Sequence, residues 1–201
     1  RRNQNRTQEN ELMAKYRERF DHHPFFNHLL LMSMLDQDPV AKSKRVLELA
    51  DDNTRTMPSN AGVHHALAIA VADIFEATEL TPELRPDAKW LQRGIEASEV
   101  ALELDPKYPK FHCTAGRLLA LQEKYKEALK EISVAIDTEN SKQSDYALRI
   151  GNYRMYYQRI QEKRHSVAMR QEVQKQLQTA RGLIQEMETS MKEMENKQAQ
   201  L

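Results

Sequence analysis

The stretch 115–136, AGRLLALQEKYKEALKEISVAI, sets a glycine inside a helical run and puts alanines at 128 and 135, where larger side chains would bury more surface. Its apolar residues recur at helical spacing on both sides of a short polar break, so it reads as two amphipathic helices joined by a tight turn. Small residues in such helices make sense where backbones must approach closely. Whether they recur elsewhere decides the fold.

They do recur. Ala101 and Ala135 lie 34 residues apart in similar phrases, EVALELD (99–105) and SVAIDTE (133–139). Seven residues before each stand Gly94 and Ala128, again both small. Two matched pairs at one period exceed what helical periodicity alone would give.

At this point the chain resembles a tetratricopeptide repeat (TPR), most clearly over residues 94–140. Residues 109–140 match that pattern through Ala115, Gly116, Tyr125, Ala128, Ile132 and Ala135, and LELDP (102–106) is the closing phrase of the preceding repeat. An earlier unit offers Ser43, Leu47 and Ala50, but Ala50 precedes Ala101 by 51 residues, 17 more than one period. The extra length is expected in a longer 60–79 helix and the 79–86 loop. A later unit offers Ile150 and Gly151, one residue out of period, with no clear second-helix alanine. The resemblance implies about three repeats and a degenerate fourth over residues 24–168.

Composition agrees with an all-helical chain. The 201 residues include only 5 Gly and 7 Pro, too few for the turns of a β protein, and no β-type alternation is visible. Helices are expected over 11–20, 24–35, from Asp38-Pro39 to about 52, and over 60–79, 87–104, 108–122, 125–137 and 144–159, followed by a long helix from about 162. Short connections imply antiparallel hairpins. The expected fold class is therefore an all-α, TPR-like solenoid of helix pairs with a long C-terminal helix. Its domains would be a polar segment and short helix (1–23), the repeats (24–168) and the extended helix (169–201).

Charge removes several functions. Thirty basic residues balance thirty acidic ones, so no net field attracts nucleic acid or an anionic membrane. No apolar run approaches the roughly 20 residues that cross a bilayer, and no charged-then-apolar leader opens the chain. A lone Cys113 leaves no intrachain disulfide framework and suits a reducing, cytoplasmic compartment. The chain opens RRNQ and stops within a helical pattern at AQL, so both ends read as cuts in a longer protein.

The tail differs in kind. Leu177, Ala180, Ile184, Met187, Met191 and Met194 fall at alternating steps of three and four, a heptad seam that continues to Leu201 with Gln198 as its polar interruption. Two uses compete: a coiled coil with a second copy or another segment, or an extended helix capping the repeats.

Catalytic chemistry finds little support. His22, His23, His64 and His65 are adjacent pairs, and neighbours on a helix diverge by about 100° and chelate one ion poorly. Cys113 lies inside a repeat helix, where a small buried residue is the ordinary reading. Phosphate-binding and nucleophile-elbow motifs are absent. No metal, cofactor or enzymatic activity is expected. Tyr146, Tyr153, Tyr156 and Tyr157 suit either partner recognition or packing of the last repeat.

The resemblance instead implies a groove lined by each repeat's first helix. On that pattern Lys110, Thr114, Arg117 and Leu121 face its concave side, with Arg149 and Asn152 in the next unit. Such groups can hold a carboxylate or an extended peptide backbone. The sequence lacks the lysine and asparagine set of the family's clamp for C-terminal carboxylates, and Cys113 occupies one of those places. The reading is a non-enzymatic interaction scaffold for a peptide or protein partner, able to self-associate through its tail. The alternative is a regulatory or sensory and oligomerisation segment of a larger enzyme or membrane-tethered effector.

Overall fold

The computed structural model describes Leu31, Val40 and residues 43–140 and 147–198, with side chains as far as Thr189. The expected helices over 11–20 and most of 24–35, the Asp38-Pro39 start, His22, His23, Tyr146 and the side chains of Met191 and Met194 lie outside these residues. Among the described residues there is no strand. The α-helices are α1 (Ser43–Thr56), α2 (Ala61–Ala77), α3 (Lys89–Leu104), α4 (Pro109–Leu121), α5 (Tyr125–Asn140) and α6 (Ala147–Gln198), with a 3-10 turn at Pro82–Leu84 between α2 and α3.

Local chemistry sets the helix ends. The Asn60 side chain accepts a hydrogen bond from the Val63 amide at 3.3 Å and caps α2. Asp87 accepts from the Lys89 amide at 2.9 Å at the start of α3, and Pro109 opens α4 with a preset φ. Between α4 and α5, Glu123 takes a left-handed φ of 61°. The Lys124 amide then donates back to the Leu119 carbonyl at 3.0 Å, and the Glu123 amide to that of Ala120 at 3.0 Å. This ending closes the last turn of α4 and reverses the chain in three residues.

The centre of the core is α2, whose AGVHHALAIAVADIFEA is apolar nearly all round. It packs against α1, α3 and α4. Leu47, Leu67, Ile74 and Leu118 are fully buried with Leu31 in this cluster. Burying each such side chain contributes about 1.5–3 kcal/mol.

Helices α2 and α3 form one hairpin and α4 and α5 the next. The first helices, α2 and α4, touch each other, and α3 touches α4. Helix α1 then stands as the second helix of an earlier pair. The start of α6 stands as the first helix of a later one, with Tyr156 against Arg117 of α4 and Arg149 beside Glu139 of α5.

The small residues sit at the crossings. Ala50, Ala101, Ala128 and Ala135 have no exposed surface. A Cβ on Gly116 would stand 2.9 Å from the Ala128 carbonyl oxygen and 2.6 Å from Ile132 Cγ1, and one on Gly94 would stand 2.7 Å from Val71 Cβ. Real Cβ atoms do not approach so closely, so each hairpin closes on a glycine. A Cβ on Gly151 would meet nothing within 4 Å. No tight crossing therefore forms at Gly151 among the described residues.

The excess spacing between Ala50 and Ala101 lies mostly in a longer first helix, 17 residues in α2 against 13 in α4, and in the connection 78–88 against 122–124. The ends of α1 and α3 supply the remainder. One expectation is corrected. The separate helices over 144–159 and from 162 are a single 52-residue helix, because no glycine or proline interrupts residues 152–181. Contacts divide the chain into two compact units, Arg1–Gln158 and Arg159–Leu201.

Candidate binding groove

The first helices α2 and α4 bring their N-terminal halves together around an open cavity of about 640 Å³. Its lining includes Asn60, His65 and Ile69 from α2 and its cap, and Tyr108, Lys110 and Phe111 from the start of α4. The Phe111 ring centroid lies 4.7 Å from that of His65, and 4.7 Å from that of Tyr108 in an edge-on arrangement. His65 Nε2 lies 3.0 Å from Thr114 Oγ1. Burial, helped by the charges of Lys110 and Arg117, lowers the His65 imidazole to a pKa of about 4. The ring is neutral at physiological pH. The cavity thus offers an aromatic and apolar wall, one half-buried ammonium and the carboxylate of Asp105 at its rim.

Further along the same two helices stands a buried arginine. Arg117 Nε and Nη2 donate to the two Glu76 carboxylate oxygens at 2.9 and 2.8 Å, and Nη2 also donates to Asp73 Oδ1 at 2.5 Å. The guanidinium carbon lies 4.7 Å from the Tyr156 ring centroid. Burial opposes the Arg117 charge, but the hydrogen bonds and negative charge of Glu76, with Asp73, outweigh it and raise its pKa. Two carboxylates against one guanidinium leave a negative surplus here, and the Asp73 side chain is 38% exposed. A matching link joins the second helices: Arg93 Nε donates to the buried Asp51 at 2.7 Å and Arg93 Nη2 to Thr54 Oγ1 at 3.0 Å. Among the described residues, an arginine thus links the first helices of neighbouring pairs and another links the second helices.

The groove residues read from the sequence are placed as follows. Lys110 lines the cavity. Thr114 is buried beside His65, and Arg117 is buried in its carboxylate pair. Leu121 packs half-buried against the core. Arg149 Nη1 lies 3.5 Å from the buried Glu139, and Asn152 is exposed on α6. Sequence reasoning passed over Asp73, Glu76, Tyr108 and Phe111. The acids did leave a signal, as two charges three residues apart on a helix otherwise almost wholly apolar.

Other candidate groups have structural partners. His64 Nε2 lies 2.8 Å from the Pro58 carbonyl oxygen, so the adjacent histidines of α2 serve different neighbours. Among the described residues no three His, Cys, Asp or Glu side chains gather as a metal site would require. Burial pushes the Cys113 thiol up to about 12, far from a reactive thiolate. Tyr153 is buried and Tyr156 lies against Arg117, so both pack. Among the described residues no helix is long and apolar enough to cross a membrane.

Helix pairs stacked on small-residue crossings, with first helices lining one face, define the class of fold: an all-α, TPR-like helical repeat. Comparison with known proteins agrees. Two solved structures of the TPR-like protein MamA are similar over 70% of this chain and 70% of theirs: "MamA 41-end from Desulfovibrio magneticus RS-1", at a TM-score of 0.53 and 19% identity, and a MamA RS-1 double mutant, at 0.52 and 20%. No protein-family model matches the chain, and no curated protein matches it in sequence.

Proposed function

We propose that this chain is a non-enzymatic interaction scaffold that holds an extended peptide segment of a partner protein along the first-helix face of α2 and α4. The observation that carries this reading is the cavity between those helices, whose volume of about 640 Å³ combines apolar walls with a few polar groups. Tyr108 and Phe111 would anchor an apolar or aromatic partner side chain, and Lys110 would pair with a carboxylate or backbone carbonyl. The surplus carboxylate at Asp73 would favour a basic group further along the same segment. Likeness to MamA in fold supports a repeat scaffold and leaves the partner to the groove's own chemistry.

Selection of peptides from a random displayed library tests the reading. Selected peptides should bind the parent protein and lose at least tenfold in affinity to Tyr108→Ala and Lys110→Glu, whose melting temperatures should stay within a few degrees of the parent's. Peptides that bind all three proteins equally would place the binding surface elsewhere.

A further inference from the structure

We propose that the segment 173–198 of α6 pairs with the same segment of a second copy in antiparallel orientation. This inference is independent of what the groove holds. Val173, Leu177, Ile184 and Met187 expose 49%, 53%, 55% and 65% of their surface along one stripe, and the sequence continues their heptad spacing through Met191 and Met194. An apolar stripe of that length on a helix needs a covering surface.

Steric and charge complementarity select the occupant and its direction. In a parallel, in-register pair every seam residue meets itself, so Ala180 faces the partner's Ala180 and leaves a void between larger layers. The flanking positions then set Gln176 beside the partner's Arg181, Leu183 beside the partner's Glu188, and Ser190 beside the partner's Glu195. No opposite charges meet in that arrangement.

An antiparallel pair centred between Gln185 and Glu186 removes both faults. Position 177 then lies across from the partner's position 194, 180 from 191, and 184 from 187, so the sequence sets the small residue opposite a large, adaptable one. Arg181 faces the partner's Glu188, and the two-fold axis makes this pair twice. Sliding the register by one heptad sets Arg181 against the partner's Arg181 in one direction; in the other it sets Glu188 against the partner's Glu188, although Arg181 then meets the partner's Glu195. Like charges thus meet in either shifted register, and the centred register avoids them.

Cysteine pairing in the full chain tests this. Leu177→Cys and Met194→Cys, mixed and oxidised, should form an intermolecular disulfide. Leu177→Cys alone should not, because its two copies would stand about 25 Å apart along the pair, from 17 residues at 1.5 Å each. The parent, carrying only the buried Cys113, is the blank. Self-linking of Leu177→Cys would overturn the antiparallel direction. Absence of any link together with a monomeric sedimentation mass of the parent would overturn self-pairing itself. A charge exchange gives a second readout free of cysteine. Arg181→Glu should weaken dimerisation about tenfold, and adding Glu188→Arg should restore it. Failure of that restoration would contradict the Arg181 to Glu188 pairing.

Discussion

Gly116 and Gly151 occupy similar places in the sequence and opposite places in the packing. At Gly116 an added methyl would meet the Ala128 carbonyl and Ile132, so Gly116→Ala should cost about 1–3 kcal/mol in unfolding free energy, as overpacking does. Around Gly151 there is open space inside a helix, so Gly151→Ala should stabilise by about 0.5–1 kcal/mol. Equal effects in urea denaturation would remove the crossing argument. His65 gives a pH test. Its imidazole titrates near 4 when folded and near 6.5 when unfolded, so the unfolded chain binds the proton first as pH falls. The associated stability is present above 6.5 and is lost between 6.5 and 4, by up to about 3 kcal/mol. His65→Phe should flatten that part of the profile, and an unchanged slope would contradict the assignment. Spacing alone located Gly94, Gly116 and the alanines, because close approach restricts side-chain size directly. The environment of His65 could not be read, because Thr114 and Phe111 reach it from another helix.

At the scale of the helix, the inter-repeat links rest on charge as well as apolar contact. Arg117 ties α4 to α2 through Glu76 and Asp73, and its own exposure is only 6%. Arg117→Met should cost about 3 kcal/mol by leaving two carboxylates without their cation. Arg117→Lys should recover little, since an ammonium cannot reproduce the forked pairing with Glu76. Full recovery of the urea midpoint by lysine would reduce this link to simple charge balance. The sequence put Arg117 on the first-helix face by its repeat position, but its partners lie 41 and 44 residues earlier on α2. No local pattern records such a pairing. The continuous α6 differs from the expected break near residue 160, where no helix breaker stands in the sequence.

For the whole molecule, the balance of 30 basic and 30 acidic residues leaves recognition to local chemistry. The proposed groove gathers such chemistry where the N-terminal halves of α2 and α4 meet, at Tyr108, Lys110, Phe111 and His65. Fold class was legible because the same small-residue spacing marks both described hairpins, at Gly94 and Ala101 and again at Ala128 and Ala135. The cavity was less legible, since its walls combine a long first helix with the start of a shorter one. Amide shift mapping by NMR, as a selected peptide is titrated into the full chain, locates the surface that binds it. The largest changes should fall on residues 60–69 and 105–117, with α3 and α5 little affected. Changes centred on α3 and α5, or on α6 beyond Gln158, would contradict a first-helix binding groove.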